Sequence, residues 1–271
     1  MEEKNEFNKQ LIKMQDWSEE LNNQIPQIHE SFIKLDSIVE KALESNKPDD
    51  ILTKAYFLFI HSLKELKGTG RNITALSEFF YVRYVLKYLE KHLGIKFKTQ
   101  HPKKRKSVYF IASINKNKIF LSSDISIKDA GISKMPDIFV GIKKDEKSIY
   151  PIAIFEIKLH QSKKKISNLI TRFLNYQDDL KQNKSNLWNE GLPYFIWLYQ
   201  NYARYEGQNF DEELLQFRKS IKNSWLLVNE ITKWTSDKYE NYIKCYNKDS
   251  KVPNGSINTI LKEIAKKIQN F

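Results

Sequence analysis

Apolar residues recur through the first quarter of the chain at helical intervals: Leu11, Met14, Trp17 and Leu21, then Phe32, Leu35, Ile38 and Val39. Residues 5–67 therefore read as helices, punctuated by Pro26 and by Asn46-Lys-Pro-Asp-Asp50, with Gly68-Thr-Gly70 as the clearest break. The same period predicts an amphipathic helix over 73–93. Leu76, Phe79, Phe80, Leu86, Leu89 and Leu93 form its apolar face, and Gly94 stands where a helix ends. From about residue 95 the texture changes to short β-rich runs. Residues 108–112 and 118–121 predict a hairpin around Asn115-Lys-Asn117. Residues 137–140 and 150–159 predict two further strands, separated by the charged stretch 141–147. Helical spacing returns over 166–180, with Ile166, Leu169, Ile170, Phe173 and Leu174 on one side. Residues 193–199 and 225–228 read as strands, and the tail from Ile257 to Ile268 reads as a helix. There is no internal repeat. This order predicts an α/β core wrapped in helices. A helical N-terminal segment over 1–70 would serve packing or dimerisation, and the main domain over 71–271 would end in a helical extension.

Composition narrows the class. The chain has 271 residues, 41% of them hydrophobic, enough to bury a real core. No apolar run approaches the ~18–20 residues a bilayer-spanning helix needs. The polar start at Met1-Glu-Glu-Lys-Asn-Glu6 is not a secretory leader. The single cysteine, Cys245, excludes an internal disulfide and a cysteine-rich zinc site. These features predict a soluble cytoplasmic protein without a membrane partner. The net charge is +12, yet residues 1–67 carry 9 Lys/Arg against 13 Asp/Glu. A basic body behind an acidic segment is the electrostatic footprint of a nucleic-acid binder. Lysine supplies 39 of the 45 bases, however, and Asn and Ile are plentiful, as an AT-rich genome would give without any such role.

The chemistry concentrates on one strand. In an extended Tyr150–Leu159, Glu156 and Lys158 share one face, and Phe155, Ile157 and Leu159 share the other. A Glu and a Lys are expensive to bury on an otherwise apolar strand. Either they neutralise each other, or their face opens onto a polar cleft for a divalent cation and a phosphate. Asp137 favours the cleft. It follows Pro136 at the start of the preceding strand, and antiparallel pairing would bring it to the same end of the sheet as Glu156. Two such carboxylates are the hard oxygen ligands that Mg²⁺ prefers.

Pro136-Asp137 followed by Glu156-Ile157-Lys158 resembles the motif of the PD-(D/E)XK nuclease superfamily, over roughly residues 75–200. The motif is short, and its context strengthens it: an amphipathic helix before, strands in the right order, and a helix after. The resemblance implies a restriction-endonuclease-like mixed β-sheet flanked by helices. It implies Asp137 and Glu156 as metal ligands, with the Ile157 carbonyl completing the shell around Mg²⁺, which Mn²⁺ can replace. Lys158 would position or activate the attacking water and offset charge on the phosphate. Many members add a glutamate from the preceding helix, and Glu78 fits that place; an acid favoured by the dipole of the first helical turn is the competing account. Gln177, on the following helix, resembles a polar position near the site in some branches. Arg172 and Asn175 compete for that role, and a solvated helix face accounts for all three.

Two basic clusters are candidates for DNA phosphates: Lys163-Lys164-Lys165 just after the catalytic strand, and Lys103-Lys104-Arg105-Lys106 before the hairpin, which could equally be a solvated loop. His160 shares the face of Lys158, and Tyr202, Arg204 and Tyr205 form an aromatic-basic cluster that packing also explains. Gly68-Thr-Gly-Arg71 lacks the ending of a phosphate-binding loop, so no nucleotide cofactor is expected. The leading expectation is a Mg²⁺-dependent endonuclease acting on DNA, a restriction or phage-defence enzyme working as a homodimer. The alternatives are a structure-selective repair or recombination nuclease, and a non-catalytic nucleic-acid-binding protein in which Glu156 and Lys158 form a buried ion pair.

Overall fold

The computed structural model describes residues 37–54, 70–100, 109–123, 130–143, 149–159, 163–183, 191–201, 210–234, 239–247 and 255–271. The helices expected over 5–36 and 55–67 lie outside the described residues. The helical residues are 37–44 (α1), 48–54 (α2), Gly70–Leu93 (α3), Lys163–Asn183 (α4), Asp211–Ser220 (α5) and Ile257–Gln269 (α6). The strands are Lys98–Gln100 (β1), Tyr109–Ile114 (β2), Asn117–Ser122 (β3), Ile138–Lys143 (β4), Ile149–Leu159 (β5), Tyr194–Asn201 (β6), Ser224–Trp234 (β7) and Tyr239–Asn247 (β8). None of the described helices is long and apolar enough to cross a membrane.

All eight strands form one mixed α/β sheet in sequence order. Strands β1 to β5 pair antiparallel, β5, β6 and β7 run parallel, and β8 returns antiparallel on β7. Each parallel step needs a crossover, and α4 and α5 supply them. The β2–β3 turn falls where expected, with Asn115 at φ 51°, a left-handed value that Asn tolerates better than most residues. Gly94 ends α3 with φ 65°.

Two cores sandwich the sheet. One face joins α3, α6 and residues from α1 and α2 (Val39, Ala42, Leu43 and Leu52) to Ile138, Phe155, Ile157 and Leu198. The other joins α4 and α5 to Phe139, Ile154, Phe195, Trp197 and Tyr199. Helix α3 is less amphipathic than its spacing suggests: Tyr81, Val82, Tyr84, Val85 and Tyr88 are buried besides Phe80, Leu86 and Leu89. A helix covered on most sides buries most of its circumference. Leu174, expected on the buried side of α4, is 38% exposed.

The parity of β5 decides which core receives Glu156. Pairing with β4 runs Val140↔Ala153 and then Gly141↔Pro151, so Ile152 is an extra residue in the ladder. Ile152 and Ala153 consequently join the same core, and strict alternation resumes beyond them. Without this bulge, Glu156 would face the opposite core from the one it occupies. Pro151 is tolerated because pairing with β6 begins only at Ala153. Gly141 makes room for the irregularity. A Cβ there would lie 2.6 Å from Ile149 Cγ2, 2.7 Å from Phe139 Cε1 and 2.9 Å from the Tyr150 carbonyl. Gly141→Ala is expected to cost about 2–3 kcal/mol through overpacking, read as a lowered denaturant midpoint at unchanged slope. Wild-type stability in this variant would remove the bulge from any structural role.

Candidate active site

The β4–β5 register places Ile138 opposite Phe155, so Asp137 and Glu156 face each other one step beyond, as antiparallel pairing predicts. The site lies at the C-terminal end of β5, where the sheet changes from antiparallel to parallel and the chain leaves for α4. Asp137 is 5% exposed and Glu156 is fully buried.

Lys158 joins the two acids. Its Nζ donates to Asp137 Oδ2 at 2.6 Å and stands 2.8 Å from Glu156 Oε2. Asp137 Oδ2 also accepts the Ile157 main-chain N–H at 2.6 Å, which fixes the carboxylate against the edge of β5. Glu156 Oε1 is held from α4. Tyr176 Oη donates to it at 2.5 Å, and Arg172 Nε lies 2.9 Å away while donating to Tyr176 Oη at 3.0 Å. Glu156 Oε2 has the ammonium beside it as an ion pair but receives no aligned hydrogen bond.

The electrostatics follow from burial and crowding. Burial, and then the neighbouring Asp137, raise the Glu156 pKa to about 7, against the opposing pull of Lys158 and Arg172. Burial works against the Lys158 charge, but Glu156 and Asp137 outweigh it and its pKa is raised. Tyr176 is likewise pushed up, first by burial and then by Glu156, so its hydroxyl stays protonated and donates. The cluster thus holds two acids and two permanent cations, with Glu156 strained toward its neutral form.

The structure brings Asp137, Glu156, Lys158 and the Ile157 main chain together. It assigns Gln177 elsewhere: its amide reaches the Lys222 carbonyl at 3.4 Å, between α5 and β7. Arg172, named from sequence only as a competitor, occupies the position beside Glu156 instead. Asn175 is exposed. Tyr176 was missed altogether. Its signal was available, since Arg172 and Tyr176 stand four apart on the helix that follows β5, one turn above each other. Glu78 lies in α3, which begins at Gly70, so it stands more than two turns inside the helix and outside the first-turn dipole field. The described part of α3 packs on the sheet face opposite Glu156, and the Glu78 side chain lies outside the described residues. Lys163, Lys164 and Lys165 open α4 in a first turn that has no acidic residue, though their side chains also lie outside the described part. Lys103 to Lys106, His160, Tyr202, Arg204 and Tyr205 lie outside the described residues.

Among the described residues no three His, Cys, Asp or Glu side chains cluster. A cation here would rest on Asp137, Glu156 and main-chain oxygen. That set fits a hard divalent ion: both side chains offer carboxylate oxygens, and Glu156 Oε2 is buried without an aligned donor. Compared with protein-family models, curated proteins and solved structures, the chain matches none.

Proposed function

We propose that the chain is a metal-dependent endonuclease that hydrolyses DNA phosphodiester bonds, on a restriction-endonuclease-like fold and in a restriction or phage-defence setting. The observation that carries the reading is the convergence of Asp137, Glu156 and Lys158, within 2.6–2.8 Å, at one end of adjacent antiparallel strands. A purely structural ion pair accounts for this less well. Burying two facing carboxylates pushes Glu156 toward its neutral form even with Lys158 and Arg172 beside it, and hydrophobic groups of similar volume would cost less. Helix α4 adds support, because three lysines at the positive end of a helix are unfavourable unless an anion is bound there.

A divalent ion bound by Asp137, Glu156 and the Ile157 carbonyl would neutralise phosphate charge and make a water molecule more acidic. The remaining work falls to the chain. Asp137 is oriented by the Ile157 N–H, and Glu156 by Tyr176 and Arg172, so neither carboxylate needs to reorganise on substrate binding. Lys158, whose pKa is raised by Glu156 and Asp137, would act as a charged donor to the phosphate. Partial exposure of its side chain, 19%, leaves that donor open toward solvent and substrate. The protein is expected to function as a homodimer, with Mn²⁺ able to replace Mg²⁺.

Supercoiled plasmid incubated with the purified chain and Mg²⁺ should be nicked or linearised. EDTA and Asp137→Ala should each abolish this. Discrete fragments would indicate sequence-specific restriction, and a smear non-specific degradation. Binding without cutting, across metals and substrates, would defeat the enzymatic reading in favour of a DNA-binding protein.

A further inference from the structure

Helix α4 does more than carry the partners of Glu156. Arg172, Tyr176, Asp179 and Asn183 follow one another at intervals of four, three and four, so they form one stripe along the helix. Tyr176 is engaged with Glu156, and the other three hold the loop that precedes Asp137. The Arg172 guanidinium donates to the Met135 carbonyl. Asp179 Oδ2 accepts from Ser133 N at 2.9 Å and from Ser133 Oγ at 2.6 Å. Asn183 Nδ2 donates to the Gly131 carbonyl at 3.3 Å.

A loop tied at three levels of one helix has lost most of its backbone freedom, which is costly unless the fixed shape is used. The fixed segment nevertheless turns outward. Ser133 and Lys134 are exposed and Met135 is 52% exposed, immediately before the buried Pro136 and Asp137. A single exposed methionine needs no explanation on its own. A cation and a thioether carried on this tethered backbone, beside a buried carboxylate site, form a contact element whose main chain needs little further ordering when a ligand meets it.

We propose that Lys134 and Met135 form a rigid substrate rim, with Lys134 on the DNA phosphate adjoining the scissile one and Met135 against the neighbouring sugar. The inference rests on the DNA-hydrolase reading above and names how that site grips its substrate.

The test measures binding of a short fluorescein-labelled DNA duplex to the full chain in EDTA across a salt series, alongside steady-state cleavage with Mg²⁺. Lys134→Ala should weaken binding about three- to tenfold and reduce the salt slope by about one, the signature of one lost phosphate contact. Met135→Ala should weaken binding a few-fold at unchanged slope, since an apolar contact releases no counterion. In both variants the loss should fall on KM rather than kcat. Lys116→Ala, in the β2–β3 turn, is the control for a remote lysine. Ser133→Ala, which frees one tether, should raise KM in the same sense. If wild type cuts DNA but Lys134→Ala and Met135→Ala bind and cleave as Lys116→Ala does, the rim is overturned and the nuclease reading stands. If wild type neither binds nor cuts DNA, both are overturned.

Discussion

Lys158→Ala is expected to lose DNA cleavage by about 10²–10³-fold and, at the same time, to become the variant most stabilised by Mg²⁺. The two effects share one cause. In the wild-type chain the ammonium lies 2.6 Å from Asp137 and 2.8 Å from Glu156, so the carboxylates are already largely neutralised. Removing it leaves two buried acids facing each other, with Arg172 the remaining cation beside them among the described residues. Breaking a buried charge pair from one side costs about 3–5 kcal/mol, and a divalent ion is the group best able to recover it. Thermal melts with and without Mg²⁺ should therefore show a larger Tm increase for Lys158→Ala than for wild type. Asp137→Ala should show neither cleavage nor this increase, because a ligand is gone and the Ile157 N–H loses its acceptor. Cleavage persisting in Lys158→Ala would exclude a catalytic lysine. An equal Mg²⁺ response in wild type and Lys158→Ala would argue against a cation site between the acids.

The core of the site was legible because strand parity is a strict rule. Once Glu156 and Lys158 lie on one strand they share a face, and the preceding strand brings Asp137 opposite. What escaped notice depended on side chains meeting across elements. Tyr176 and Asp179 look like an ordinary helix surface until the sheet and the loop are laid against them. Gln177 shows how little chemistry alone fixes a side chain's partner. Its chemistry suited the site, but the helix turns it toward Lys222. Among the elements, α5 was missed because Leu214 and Phe217 are its only buried positions, too few to establish a period. Strand β8 was missed because it is an edge strand in which Glu240, Asn241 and Lys244 interrupt any apolar alternation. The bulge at Ile152 has no sequence signal beyond Pro151 and Gly141, yet it sets the face on which Glu156 lies.

The metal-free protein is expected to be most stable at mildly acidic pH and to lose stability as pH rises toward 8. Two buried carboxyls on opposite faces of the sheet produce this. Glu156 is raised to about 7 by burial and by Asp137. Asp49 is raised from 3.8 to about 7 by burial, only partly offset by the main-chain hydrogen bonds it accepts at the start of α6, from the Ile257 N–H at 3.0 and 3.1 Å. Both folded values lie above the unfolded ones, so between about pH 4 and 7 the folded chain retains protons that the unfolded chain has released. The resulting stability is fully present below the unfolded pKa and is lost as pH rises through the folded pKa. Displacements of this size correspond to roughly 3–4 kcal/mol per group, an upper bound for groups this buried. Thermal or urea unfolding in EDTA from pH 5 to 8 should show the decline. Asp49→Asn should flatten it and raise stability at pH 8, since the amide oxygen still accepts the Ile257 N–H without carrying a buried charge. Glu156→Gln should remove a comparable part of the slope, and because the two sites share no partner the effects should add. Stability that rises from pH 5 to 8 in EDTA, or a slope unchanged in the double variant, would show that both carboxyls are ionised comfortably in the fold. The push of Glu156 toward its neutral form would then no longer distinguish an active site from a structural ion pair.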